Sequence, residues 1–127
     1  MRSRIPSFLI LLAALLSGCA LATKAPPVAN AGPDVTVSLG ERASYDGSGS
    51  VDLDGGKIVY YKWYVTVAPE EQEHQVGQVL REGPDAAIWT SDSPAGEEDL
   101  GEWVIELKVT DDEGQSATDD MTVTVDL

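Results

Sequence analysis

Cysteine, histidine and phenylalanine each occur once in these 127 residues, and Lys plus Arg number 8 against 22 Asp plus Glu. Each shortage excludes something. A lone cysteine cannot staple the chain to itself, so the fold must be held by its core. With His74 as the only imidazole, no Cys/His metal constellation is available. No serine sits in a nucleophile motif and no glycine-rich phosphate loop is present, so the chain is expected not to be an enzyme. Asp52 and Asp54 lie two residues apart on a turn, which is no arrangement for a separated acid and base. The formal charge of −14 repels phosphate backbones, so nucleic acid is excluded as a partner. No apolar run reaches the roughly 20 residues that cross a bilayer as a helix.

What is present begins at the N-terminus. Arg2 and Arg4 precede the apolar stretch Phe8 to Leu16, and Leu16-Ser17-Gly18-Cys19 follows. A charged start, an apolar centre and a small-residue cleavage site are the parts of a secretory signal. The tetrapeptide resembles a bacterial lipoprotein lipobox. That resemblance implies cleavage after Gly18 and a lipid, palmitate-type acyl chains included, carried through the Cys19 thiol. An ordinary signal peptide with an incidental cysteine is the other reading. The expected location is the cell membrane or outer membrane, lipid-anchored, facing the periplasm or the cell exterior. Residues 1–18 are thus read as signal peptide, which leaves 109 residues with 6 cationic and 22 acidic side chains, a formal charge of −16.

Residues 19–29 read as the lipidated cysteine and a flexible tether, ending at Pro26-Pro27, which favours extended geometry. From residue 30 to 127 the pattern is β. Val35 to Leu39 alternates with period 2, and Ala43 to Tyr45 is a short second strand. Ile58 to Val67 is long and dense in β-branched and aromatic residues. Val76 to Leu80 and Ala86 to Thr90 are shorter candidates. Trp103 to Thr110 puts Trp103, Ile105, Leu107 and Val109 on one face, and Met121 to Val125 closes the series. About seven short strands with turns between them point to an all-β, immunoglobulin-like antiparallel β-sandwich. Val59, Tyr61, Trp63 and Val65 are expected to face the core row from Trp103 to Val109, with Trp89 also in the core.

Pro27 to Asp34 followed by Val35-Thr36-Val37 resembles the opening of a PKD domain. The likeness continues through Asp46-Gly47-Ser48-Gly49-Ser50-Val51-Asp52-Leu53-Asp54-Gly55, the Tyr-x-Trp of Tyr61 to Trp63, and Trp103 to Asp112 with Gly114. It covers Pro27 to Val125. Many PKD domains continue Asp-Phe-Gly-Asp-Gly after the tryptophan. This chain has Tyr64-Val65-Thr66-Val67 instead, nearer the divergent PKD-like modules.

Few residues carry site chemistry. Ser50-x-Asp52-x-Asp54-Gly55 superficially resembles an EF-hand loop, but position 61, where its bidentate Glu belongs, is Tyr. The PKD resemblance implies a Ca²⁺ site in some members, and the matching positions are Asn30, Asp52 and Asp54, with Asp111 or Asp112 at the turn after the penultimate strand. Equally open is that Asp52 and Asp54 only form Asx turns beside Gly55-Gly56. Tyr60 and Tyr64 flank Lys62 on the other face of the third strand. They are candidate binding residues for a sugar ring or a protein, or else they pair with neighbours on the sheet. Glu70 to Gln75 and Glu97 to Asp99 are polar runs read as solvated loops or docking segments. The expected function is a lipid-anchored cell-envelope binding or adhesion module for protein or glycan. The alternative is a structural accessory or spacer of an envelope assembly, stiffened by calcium.

The anchor is directly testable. Burial of acyl chains contributes about 0.8 kcal/mol per CH₂, so several chains would hold the protein on a membrane permanently. Cys19→Ser is expected to move the protein to the soluble fraction and to abolish fatty-acid labelling. Wild-type protein that is soluble and unlabelled would refute the lipidation.

Overall fold

The computed structural model describes residues 24–127; the signal segment, Cys19 and the start of the tether lie outside the described residues. Seven strands form there: β1 (Val35–Ser38), β2 (Ser44–Asp46), β3 (Ile58–Val67), β4 (Val79–Gly83), β5 (Ile88–Thr90), β6 (Gly101–Asp111) and β7 (Ser116–Asp126). They make two sheets, one ordered β1-β7-β6-β3-β4 and one of β2 with β5. Every pair is antiparallel except β1, which runs parallel to β7. The expected β-sandwich is the observed architecture.

The alternation in β3, β6 and β7 explains why the large sheet has one apolar face. The two rows expected to face each other across the core instead lie side by side in one sheet, because β3 and β6 are paired neighbours: Trp63 and Val65 pair with Leu107 and Ile105, and Ile105 with Met121. All of these are buried, as are Val109, Val123 and Val125. Tyr45 of β2 and Trp89 of β5 close over them. Their rings stack at 4.1 Å, and each meets the edge of Trp63, at 5.5 and 6.0 Å. Such contacts contribute about 0.5–1.5 kcal/mol beyond the burial itself. The Trp63 indole N–H donates to the Ala86 carbonyl at 2.7 Å, so the polar edge of this ring is satisfied inside the core. Trp103 is half-buried and packs on the margin of the cluster.

Three strand expectations shift. Val59 is exposed, not a member of the core row. The β3–β6 register slips between Ile58 and Tyr60, so Val59 is the extra residue of a bulge and Ile58 turns inward in its place. The fourth strand runs 79–83, not 76–80. Gly77, with φ of +94°, donates to Val65 while Gln78 accepts from it, folding that stretch into a turn against β3. The last strand begins at Ser116, five residues earlier than its apolar alternation shows, because Ser116 to Asp120 pair with Thr110 to Glu106. Pairing overrides the poor strand propensity of aspartate there.

Glycine is required at two close approaches. A Cβ on Gly32, where φ is +83°, would lie 2.5 Å from the Asp46 carbonyl oxygen, and one on Gly47 would lie 2.6 Å from Leu107 and 2.9 Å from Trp63. The expected tether is partly docked as well. Val28 pairs with Val51, and the Gln115 side chain donates to the Lys24 carbonyl at 3.1 Å.

The core should respond accordingly. Trp63→Ala is expected to cost about 3–5 kcal/mol, comparable to the whole stability of a small domain. Gly47→Ala should cost about 1–3 kcal/mol through overpacking, while Tyr60→Ala stays mild; urea midpoints read all three, and a mild Trp63→Ala would refute the core assignment. Burial pushes the Tyr45 hydroxyl up to about 12. Because the folded value is raised, its contribution is fully present below the unfolded value near 10 and is lost as pH climbs through 12. Alkaline melts of wild type and Tyr45→Phe should therefore diverge only above about pH 10.

Candidate binding site

Three places on the sandwich could meet a ligand. The first is the pole formed by the turn before β3 and the turn between β6 and β7. Asp52 Oδ1 accepts from the Asp54 amide at 2.9 Å, which is an Asx turn. Asn30 Oδ1 accepts in the same way from Gly32 at 2.9 Å. Asp111 is 1% exposed, and its Oδ1 accepts from the Glu113 and Gln115 amides, both at 2.9 Å. It organises the turn whose corner is Gly114. The carboxylate that comes near Asp52 is that of Asp112: a Cβ on Gly56 would meet Asp112 oxygens at 2.4 and 2.6 Å and Asp52 Oδ2 at 2.5 Å. Asp54 points its charge to solvent.

Ca²⁺ wants six to eight oxygens around one point. Asn30, Asp52 and Asp111 each spend one oxygen on a local backbone amide. Asp52 Oδ2 and Asp111 Oδ2 are buried without a partner, yet among the described residues no three acidic, histidine or cysteine side chains are placed to hold a metal ion. The expected calcium positions are thus not gathered into such a group among the described residues. The Asx-turn reading of Asp52 is the one the hydrogen bonds show.

The second place is the outer face of the large sheet. Tyr60 donates to Glu82 at 3.2 Å and Tyr64 to Glu106 at 2.6 Å. The Lys62 ammonium lies 5.9 Å from the Tyr64 ring centre. Burial, followed by the Glu106 bond, pushes the Tyr64 hydroxyl up to about 12. Both hydroxyls are thus engaged across the strands, and the face is a set of satisfied cross-strand pairs.

The third place was not visible as a site in the sequence. β2 and β5 are three residues each, too short to cover the inner face of the five-stranded sheet. Beyond them a cleft of about 320 Å³ opens, with Tyr45, Val65 and Ile105 among its floor and Glu41, Gln75, Gln78 and Asp99 among its walls. Ligand pockets begin at about this size. Its walls come from Glu41 of the β1–β2 connection and from the connections 68–78 and 91–100; the last two contain the polar runs Glu70 to Gln75 and Glu97 to Asp99, of which Gln75 and Asp99 line the cleft. Those runs were the sequence signal; their convergence over one cleft was not. The cleft lies at the pole opposite the acidic turns, since Val65, Trp103 and Val125 stand at the far ends of β3, β6 and β7.

Comparison with known proteins agrees with this architecture. The solution structure of the PKD domain from KIAA 1837 protein superposes with a TM-score of 0.55 at 24% identity, covering 83% of this chain and 91% of that one. Fibronectin(III)-like modules of Clostridium thermocellum CbhA superpose at 0.53 and 16% identity, covering 81% and 47%. In sequence, the chain is 33% identical over 100 residues to the dyslexia-associated protein KIAA0319 homologs of Rattus norvegicus and Mus musculus. That alignment takes in 79% of this chain but only 8% of the length of either relative. The family model described as "K319L-like, PKD domain" matches residues 31–125. The chain therefore belongs to the K319L-like PKD domain family.

Proposed function

We propose that this protein is a lipid-anchored binding module of the cell envelope, without catalytic activity, that presents its PKD domain to a protein or glycan. One observation carries the reading: the place where the chain joins the domain. Lys24 lies 3.9 Å from Glu113, and its carbonyl is held by Gln115. Entry is thus at the β6–β7 turn. Lys24 follows Cys19 by only five positions, and five steps of chain reach at most about 17 Å. β6, with 11 residues, is roughly 36 Å long at about 3.3 Å per residue. An acylated Cys19 therefore holds the acidic pole near the bilayer and the open cleft away from it. A module that keeps its concave, polar-walled end outward is arranged to meet a partner.

The orientation can be measured. Asp54→Cys and Glu97→Cys, each carrying a fluorophore, mark the two poles in the lipidated protein. A quencher in the lipid headgroups is expected to quench the label at 54 strongly and the label at 97 weakly. Equal quenching, or the reverse order, would overturn the reading.

A further inference from the structure

We infer that the distal cleft accepts an organic cation with an apolar body, namely the lysine or arginine side chain of a basic protein segment. This rests on reading the chain as a binding module and names the chemistry of its partner.

Charge is the first support. Two carboxylates, Glu41 and Asp99, line the cleft, and the connections 68–78 and 91–100 beside it carry six more (Glu70, Glu71, Glu73, Asp92, Glu97 and Glu98) and no lysine or arginine. The nearby cations are already engaged with Asp92. Arg81 lies 2.9 Å from its carboxylate and covers the Trp89 ring at 4.9 Å, while Arg42 donates to the carbonyls of Ser91 and Asp92. Among the described residues the other seven of these carboxylates, Glu41 and Asp99 included, make no ion pair. No Lys, Arg or His lines the cleft itself. An anionic ligand would meet only repulsion here, and a cation would be drawn in by the field of a chain this acidic.

The floor is the second, independent support. Tyr45 is 6% exposed and lines the cleft. Burial alone perturbs its hydroxyl, with no hydrogen bond contributing, in contrast to Tyr60 and Tyr64 with their glutamate partners. A neutral phenol with free lone pairs can accept from an ammonium or guanidinium N–H. Around it the valine and isoleucine side chains of the floor suit a methylene stem, which long basic side chains bury readily. At the mouth, Glu41 accepts from the Ser38 amide through Oε1 and Asp99 from the Gly96 amide through Oδ2. Each carboxylate is thereby oriented and keeps one oxygen for the incoming charge. The volume of about 320 Å³ suits one side chain and not a folded segment.

The test uses the full chain in detergent micelles at near-neutral pH, with Trp103 in the lining as the fluorescent reporter. Probes are a short Gly-flanked oligolysine peptide, the same peptide with every lysine acetylated, and a neutral disaccharide. The lysine peptide is expected to bind, and its acetylated form to bind roughly tenfold more weakly, the product of two exposed ion pairs. Glu41→Gln and Asp99→Asn keep an acceptor for their backbone amides, and each should weaken binding about two- to fivefold. The double variant Asp52→Asn with Asp112→Asn removes equal charge from the other pole and should leave binding within about twofold. Equal loss from both poles would show that the peptide senses only the overall field and would overturn the site. So would equal binding of the acetylated peptide, or tighter binding of the disaccharide. Peptide binding and membrane orientation are read separately, so failure of the cleft leaves the anchored-module reading standing, and the reverse.

Discussion

The contact of Trp63 with Tyr45 and Trp89 is the constraint on which the rest depends. The second sheet has only three-residue strands, and backbone pairing of that extent cannot hold a sheet in place by itself. What fixes it is the three-ring cluster together with the bond from the Trp63 indole to Ala86. No disulfide joins the sheets, since the chain has one cysteine. Sandwiches of this size must then rely on aromatic burial, at about 25 cal/mol per Å², concentrated at the sheet-to-sheet contact. Gly47 follows from the same requirement, because the turn after β2 passes over Leu107 and Trp63 too closely for any side chain.

Small strands in the covering sheet have a second consequence. The five-stranded sheet is longer than its lid, so its inner face must be finished by loops at both poles. At one pole the finish is tight: Ala31 is 1% exposed, its amide bonds to Asp119 at 2.8 Å, and Asp111 gathers the turn amides. At the other pole the connections 68–78 and 91–100 meet less closely and leave the cleft. The asymmetry between a closed pole and an open pole is thus a result of strand length, not a separate feature.

Much of this was legible in the sequence, and the limits have physical causes. Period-2 alternation put Trp63, Val65, Ile105, Leu107 and Val109 correctly on buried faces, but not in which layer: their rows are neighbours in one sheet, since alternation marks a face and not a pairing partner. It failed at Val59, since a bulge inserts one residue and reverses the faces, and nothing in Ile58-Val59-Tyr60 marks which residue is extra. It missed the first half of β7 because Asp119 and Asp120 are poor strand formers, held there by pairing with β6. The acidic turn residues were read as a set by their similarity to a family pattern. Their hydrogen bonds show that Asn30, Asp52 and Asp111 each give one oxygen to backbone amides that would otherwise lack partners, a cost that turns must meet locally. The cleft escaped notice because its walls come from three separate connections and its floor is the core itself.

The acidity of the chain gains a direction from this geometry. Spread evenly, so many carboxylates would serve solubility and nothing more. Here the described ion pairs are two, Lys24 with Glu113 and Arg81 with Asp92, and each sits where the chain needs local fastening: the entry of the tether and the crossing from β4 to β5. The remaining acids at the closed pole are turned to backbone amides or packed near Gly56. Of those at the open pole, only Asp92 is held in an ion pair among the described residues. In the proposed arrangement the first group faces a surface of lipid headgroups, against which negative charge keeps the domain upright, and the second faces outward with its charge uncompensated. Uncompensated charge at the mouth of an apolar-floored cleft is unfavourable for the isolated fold, through self-repulsion alone. A cationic group arriving there relieves that repulsion while filling space that the short β2–β5 sheet leaves open.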